Sequence, residues 1–126
     1  MSSLSLILLE GNFAICRLAP NADVPSWVGD GPFVSITRTS DELSIVCGQE
    51  SVPDDVRCDR VWRCLRVAGT LDLSLVGVLA SLLNPLAKAG LCVFALSTFD
   101  TDFLLIKEQE LPTAIKLLRE AGHSLR

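Results

Sequence analysis

The sequence predicts an α+β fold in which a strand-rich first half precedes a second half of β-α-β-β-α-β order. Short apolar runs separated by polar turns fill the first half, which is typical of strands. In the second half, two segments with helical apolar spacing alternate with apolar strand runs. A linker rich in glycine, proline and acidic residues, 48–59, lies between the halves. We therefore expect two small units, 1–58 and 59–126, of which the second is ferredoxin-like.

Composition and charge argue against several classes of function and location. A chain of 126 residues, 49% of them hydrophobic, with a mean hydropathy of +0.43, is able to bury a core. The net charge of −4 argues against nucleic acid or an anionic membrane as the main partner. The uncharged run Leu73–Ala87 is shorter than the roughly 20 residues that span a bilayer. Because the N-terminus also lacks the basic region and cleavage site of a signal peptide, we expect a cytoplasmic protein.

The cysteines are interpreted as structural. Their number is odd, no Cys-x-x-Cys motif occurs and His123 is the sole histidine, which disfavours zinc and disulfide frameworks alike. Most lie in apolar strand patterns, where a reduced thiol behaves as a small hydrophobe. We therefore expect a reducing compartment, no metal and no cofactor. The five cysteines are Cys16, Cys47, Cys58, Cys64 and Cys92, and all except Cys58 lie in such patterns.

The first half reads as two hairpins around a loop. Residues 4–9 and 13–18 are apolar strands separated by a short turn, and we expect them to pair as an N-terminal hairpin. Residues 20–32 form a loop with at most one helical turn. Residues 33–37 and 43–47 are strands joined by a polar connection.

The second half begins with a strand and a helix. Residues 61–71 alternate but carry arginines on both faces, which predicts either an edge strand or arginine stems lying over apolar surface. Asp72 or Ser74 is expected to cap the following helix, since either side chain can accept hydrogen bonds from backbone N–H groups. Pro85 within this helix predicts a kink rather than a break.

The remaining elements are a pair of strands and a second helix. Residues 91–96 predict a fully buried strand, and residues 103–106 its partner, joined by the polar turn 97–102. Pro112 suits the first turn of the next helix, where its missing N–H would be unpaired. Gly122 ends that helix, and a short final strand follows.

Catalytic constellations are missing from the sequence. One histidine leaves no Ser-His-Asp or Cys-His set, and no phosphate loop of the Gly-x-x-x-x-Gly-Lys type occurs. Asp54, Asp55 and Asp59 lack the alternating spacing of a calcium loop. We therefore predict that the protein is not an enzyme.

From residue 62 to residue 123 the sequence resembles the ACT domain. It is most similar to the small bacterial tandem-ACT proteins related to the ACT modules of the cytosolic arginine sensor. The resemblance is carried by Gly77 in the strand-to-helix connection, Pro85 in the first helix and the Ser-Thr-Phe-x-Thr-Asp turn at 97–102. Residues 1–60 would then be a degenerate first ACT unit.

The resemblance implies a non-catalytic regulatory protein that binds a small ligand, foremost an amino acid, at an interface between ACT units. In arginine-sensor relatives the ligand is held by the start of the first helix and by the turn. A glycine at a helix start lets a ligand carboxylate approach exposed N–H groups, and an aspartate in the turn would pair with an amino group. The site carried over to this sequence consists of Ser74, Gly77, Val78, Thr98, Phe99 and Asp102.

Two of these residues could have a structural role instead of binding a ligand. Gly77 could serve only close packing of the helix on the sheet, and Asp102 could serve only to cap its turn. Leu75 and Val76 stand where the arginine sensor has an acidic residue, so the resemblance does not imply arginine as the ligand. The alternative function is a ligand-free interaction or oligomerisation module, and a homodimer is compatible with both readings.

Overall fold

The computed structural model describes residues 3–72 and 74–126, which fold into two compact units. The helical unit contains the described residues through Leu9 together with Arg63–Arg126, and the strand unit contains Glu10–Trp62. Leu73, the first residue of the apolar run noted above, lies outside the described residues. The strands are β1 (Ser5–Leu8), β2 (Phe13–Leu18), β3 (Ser35–Arg38), β4 (Leu43–Gly48), β5 (Cys58–Val67), β6 (Val93–Ser97), β7 (Asp102–Lys107) and β8 (Ser124–Leu125); the helices are α1 (Val78–Lys88) and α2 (Leu111–Glu120).

The helical unit has the predicted ferredoxin-like order, β5-α1-β6-β7-α2-β8. Its β7 pairs with β5 and β6. The position of one predicted strand was not foreseen: β1 lies between β5 and β8. It runs antiparallel to β5, with Leu8 opposite Leu65, and parallel to β8, with Ser5 opposite Ser124.

Helices α1 and α2 bury their apolar residues against this sheet. Full burial of an aliphatic side chain contributes roughly 1.5–3 kcal/mol, so the two helices are held mainly by their leucines. The fully buried cluster consists of Leu6, Leu65, Val67, Leu82, Leu86, Leu104, Ile106, Ala114 and Leu118.

Helix α1 continues through Pro85, as predicted. Proline has no N–H, so the carbonyl of Ser81 loses its usual helical partner. His123 is buried and contacts that carbonyl through Nε2 at 3.3 Å. Its Nδ1 accepts a hydrogen bond from the Leu4 N–H at 3.2 Å, so Nε2 carries the proton and donates to Ser81. The histidine therefore has a structural role, as expected.

The predicted helix cap was wrong. Helix α1 begins at Val78, and its N-cap is Gly77 in the left-handed conformation, with φ 79°. The carboxylate of Asp72 accepts hydrogen bonds from the Ser74 N–H at 2.8 Å and the Ser74 hydroxyl at 2.7 Å. These bonds close a local turn before the helix, so neither side chain is available to cap it.

Two strand predictions were also wrong, and one of two alternatives for a third strand is excluded. The N-terminal run does not fold back on itself, because β1 pairs with β5 and β8 while β2 pairs with β4 and β5. Of the two alternatives for β5, the edge strand is excluded, since β5 has β7 as a further neighbour. Strand β6 begins only at Val93 and is half-buried, because among the described residues it pairs with β7 alone. Cys92 consequently lies before the strand and is exposed.

The strand unit is an antiparallel arrangement of β3, β4, β2 and the first residues of β5. The β3–β4 hairpin is confirmed, with Ser35 opposite Val46. The predicted single helical turn is present as a 3-10 turn at Ser26–Val28, and a second one spans Gln49–Ser51. The division into 1–58 and 59–126 stays a prediction.

None of the helices formed by residues 3–72 and 74–126 has both the length and the apolar character needed to cross a membrane.

Candidate functional site

A pocket of about 330 Å³ opens in the helical unit between the start of α1 and the β6–β7 hairpin. Five of the six predicted site residues line it, and Ser74 does not. Ser74 is instead exposed and bonded to Asp72. The five predicted residues that the pocket brings together are Gly77, Val78, Thr98, Phe99 and Asp102.

The hairpin wall is shaped by hydroxyl groups. Ser97 and Asp102 are the last paired residues of β6 and β7. Between them the Thr98 N–H donates to the Thr101 carbonyl at 2.8 Å, and the Thr98 hydroxyl oxygen lies 3.3 Å from the Thr101 N–H and accepts from it. This closed turn places Phe99 at its tip, with 79% of the residue exposed.

Two hydrogen bonds fix the hairpin against the segment that follows β5. The buried Thr101 donates its hydroxyl to the Val67 carbonyl at 2.8 Å. The Leu71 N–H donates to the Asp100 carbonyl at 2.6 Å. Because Leu71 and Asp100 also line the pocket, these bonds hold two of its walls at a fixed separation.

The opposite wall is the start of α1. Gly77 adopts φ +79°, and a Cβ built on it would meet nothing within 4 Å, so the backbone faces open space there. No side chain among the described residues caps the helix. The N–H groups of its first turn therefore lack intrahelical partners, and the positive end of the helix dipole lies at the pocket. Such a helix start favours an anionic group.

Asp102 provides the complementary charge. The residue is 9% exposed, and its carboxylate accepts a hydrogen bond from the Ser97 hydroxyl at 2.6 Å. Asp72 and Asp100 add carboxylates at the exposed rim. The hydrogen bonds from the Ser74 N–H and hydroxyl lower the pKa of Asp72, which keeps that carboxylate charged.

The charges of the pocket suit a zwitterion rather than a metal ion. Helix N–H groups on one side can bind a carboxylate, and a buried carboxylate on the other can bind an ammonium group. The described part of the chain holds no cluster of three histidine, cysteine or acidic side chains arranged for a metal ion.

Ser97, Thr101 and Leu71 were missed by sequence reasoning. Ser97 could have been found from the hairpin register, since a turn of residues 98–101 sets it opposite Asp102. The bonds of Thr101 to Val67 and of Leu71 to Asp100 depend on contacts between distant segments, and local sequence carries no signal for them.

Comparisons with known proteins assign family relationships to both halves. Residues 57–120 match the family profile described as the ACT domain, and residues 11–55 match a profile of an N-terminal domain. A crystal structure of an Agobacterium tumefaciens protein is 41% identical, covers 100% of this chain and 94% of its own, and superposes with a TM-score of 0.95.

Curated and structural relatives extend the comparison. The rat cytosolic arginine sensor for mTORC1 subunit 1 is 28% identical over 102 residues, which cover 75% of this chain and 31% of that protein. The match to human CASTOR3P covers 64% of this chain and 57% of the human sequence, so this chain spans less than two thirds of the length of either curated relative. The regulatory subunit of aspartate kinase from Thermus thermophilus shares the fold, with a TM-score of 0.63, 10% identity and coverage of 90% and 94%.

Proposed function

We propose that this chain, which belongs to the ACT-domain family, is a non-catalytic regulatory protein that binds a free amino acid in the pocket of its helical unit. A general regulatory, ligand-binding role is supported by relatives that include an arginine sensor and a kinase regulatory subunit. The amino-acid class is supported by one observation: uncapped helix N–H groups lie across the pocket from the buried carboxylate of Asp102.

The burial of Asp102 favours an ammonium group as its partner. An ionised carboxylate is costly to bury unless it is paired and hydrogen-bonded. The Ser97 hydroxyl is one donor to this carboxylate, and a carboxylate has lone pairs for further hydrogen bonds. A ligand α-ammonium group would supply charge-assisted hydrogen bonds there, while the ligand carboxylate binds at the start of α1.

The mouth of the pocket favours closure by a second ACT unit from another copy of the chain. Phe99 is 79% exposed and Leu75 is 54% exposed, and both line the pocket. Their neighbour Val76 is 94% exposed. Apolar groups gathered at a polar pocket are typical of an interaction site. Ligand would then stabilise the associated form because it binds that form better, which is regulation by population shift.

A thermal-shift panel of the twenty amino acids tests the proposal. A ligand at about 100 times its Kd stabilises the folded state by about 2.7 kcal/mol, which a melting curve resolves readily. Asp102→Asn removes the charge at nearly constant volume and should abolish the shift. Asp55→Asn, an exposed aspartate of the strand unit, makes the same change of net charge outside the pocket and should leave the shift unchanged.

Two results would contradict the amino-acid proposal. One is a panel in which no amino acid raises the Tm, and the other is an Asp102→Asn protein that binds as the parent does. A circular-dichroism spectrum of each variant without ligand separates lost binding from lost folding. If Asp102→Asn itself unfolds, Ser97→Ala serves instead, since it removes only the hydroxyl bond to the carboxylate and should weaken binding without abolishing it.

A ligand-free interaction module is the second candidate, favoured by the same exposed side chains of Leu75, Val76 and Phe99. It predicts a dimer in sedimentation velocity without any amino acid and no Tm change across the panel. Ligand-dependent dimerisation would support the first proposal instead. We further propose a cytoplasmic location, in keeping with the cytosolic arginine sensor among the relatives.

A further inference from the structure

Three of the five cysteines converge on one sheet face of the strand unit. Cys16 on β2 lies directly opposite Cys58 at the start of β5. On β4, Cys16 faces Ile45, so Cys47 is its diagonal neighbour on the same face. All three thiols belong to one apolar cluster. Nothing in the spacing of these cysteines along the chain indicates that they meet.

The strand register makes Cys16 and Cys58 the pair suited to a disulfide. The Arg17 N–H donates to the Arg57 carbonyl at 3.0 Å, so residues 17 and 57 form a hydrogen-bonded pair. The adjacent pair, Cys16 and Cys58, is therefore non-hydrogen-bonded, with Cα atoms about 4.5 Å apart in standard geometry. Disulfides span Cα separations of about 4.4–6.8 Å, whereas diagonal neighbours such as Cys16 and Cys47 are about 7–8 Å apart.

Burial divides the roles of the three thiols. Burial, reinforced by the neighbouring cysteines, raises the pKa of Cys16 to about 12. Burial likewise raises the pKa of Cys47. Both stay protonated and shielded at neutral pH, whereas Cys58 is only half-buried and is open to a small oxidant.

We propose that Cys16 and Cys58 form a reversible oxidation site at which a hydroperoxide converts the two thiols into a cross-strand disulfide. The Cys58 sulfur attacks the peroxide; an S–O bond forms, the O–O bond breaks, and Cys58 becomes a sulfenic acid as hydrogen peroxide yields water. The Cys16 sulfur then attacks the Cys58 sulfur. The S–S bond forms, the S–O bond breaks, and hydroxide leaves as water with the Cys16 proton. Two thiols and one peroxide thus give one disulfide and two waters.

Hydrogen peroxide treatment of the full chain tests this site. The exposed Cys92 is first replaced by serine to prevent links between chains. Before alkylation, the intact mass of the oxidised protein should be lower than that of the reduced protein by two hydrogens, and alkylation then blocks the remaining free thiols. Peptides containing Cys16 and Cys58 should be joined, and dithiothreitol should separate them. The Tm should rise in the oxidised form, because the bridge restricts the unfolded chain.

Matched cysteine variants identify the pair. Cys47→Ser should still form the bridge, whereas Cys58→Ser, at a half-buried position, should abolish it. Cys16→Ser should stop at a Cys58 sulfenic acid, which dimedone traps. If Cys16→Ser fails to fold, Cys58→Ser still decides, and a bridge persisting in that variant overturns the proposal.

Two further outcomes would also overturn it. One is a bridge that joins Cys47 to either other thiol instead of joining Cys16 to Cys58. The other is oxidation of Cys64 at the same rate as Cys58. Cys64 is fully buried in the helical unit, so its modification reports global unfolding rather than a site in the folded protein. None of these readouts depends on amino-acid binding.

Discussion

The helical unit and the strand unit bury a sheet face in different ways, and the difference decides which of them can offer a pocket at the start of an α-helix. In the helical unit, α1 and α2 bring leucines such as Leu82 and Leu118 onto the sheet. The strand unit, residues 10–62, contains only two 3-10 turns besides its strands. Only the helical unit has α-helices, so only there can backbone N–H groups and a helix dipole act together on an anion.

The cores of the two units differ in chemistry for the same reason. Without helical leucines, the strand unit packs small residues, including Ala14 and the thiols of Cys16 and Cys47. In the helical unit, Cys64 is the one buried thiol among the described residues. A buried thiol packs as a small apolar group but can still be oxidised. The strand unit, which has no α-helix, is therefore the one in which the buried thiols of Cys16 and Cys47 and the half-buried Cys58 lie together.

Truncating a buried leucine of α1 should destabilise the helical unit strongly. Leu86→Ala should lower the free energy of unfolding by about 2–5 kcal/mol, because Leu86 is fully buried and leaves a cavity. Leu75→Ala, in the same unit but 54% exposed, should cost less than about 0.5 kcal/mol. Urea unfolding measures both. Equal costs would mean that packing of α1 does not stabilise the helical unit.

Alkaline pH should weaken both cores, through different thiols. Burial raises the pKa of Cys64 from 9.0 to about 12, and the pKa of Cys16 is raised equally far. Between these values the unfolded thiol loses its proton while the folded thiol keeps it. Stability is therefore fully present below pH 9.0 and falls above it, by about 1.4 kcal/mol per pH unit for each thiol.

Two variants separate the contributions of the units. Cys64→Ala should reduce the slope of unfolding free energy against pH by the share of the helical unit, and Cys16→Ala by that of the strand unit. Urea unfolding from about pH 8 to about pH 11, which bracket the ordinary thiol range, measures each slope. If neither substitution changes the slope, the thiols do not carry the alkaline loss.

A matched pair of glycines separates conformation from ligand contact. Gly77 in the helical unit and Gly11 in the strand unit have φ +79° and +82°, and a Cβ added at either would meet nothing within 4 Å. Alanine at either position should cost about 1 kcal/mol for the left-handed backbone. Gly77→Ala should also reduce the Tm shift with amino acid, because its methyl group would occupy the approach to α1. If Gly77→Ala and Gly11→Ala reduce the ligand-induced Tm shift equally, the reduction comes from lower stability and not from a lost ligand contact.

The local elements of both units could be predicted from the sequence, and the long-range pairings could not. The spacing of apolar residues and the position of turn-forming residues located the β3–β4 hairpin and both helices, because neighbouring residues determine these elements. The insertion of β1 beside β5 joins Leu8 to Leu65, and no local pattern specifies that pairing. The false N-terminal hairpin has the same cause, since a turn signal indicates a reversal but does not name the partner strand.

The candidate site shows the same limit. Resemblance identified Gly77 and the hairpin turn, and the structure brings them together around one pocket. The hydrogen bond that holds this turn, from the Thr101 hydroxyl to the Val67 carbonyl, joins segments that are distant in sequence, and it was not predicted. Ser74 was carried over with the helix start, but it does not line the pocket, and its N–H and hydroxyl are bound to Asp72.

Of the substitutions proposed, Phe99→Ala should have the smallest effect on stability, but it tests whether this ring closes the pocket. Phe99→Ala should change the free energy of unfolding by less than about 0.5 kcal/mol, because 79% of the residue is exposed. Phe33 in the strand unit is 6% exposed and packs edge-on to Phe13 with ring centroids 6.3 Å apart, so Phe33→Ala should cost about 3–5 kcal/mol. Only Phe99→Ala should weaken ligand binding and dimerisation at unchanged stability. If it leaves both intact, the ring does not close the pocket, and the amino acid would bind within a single helical unit.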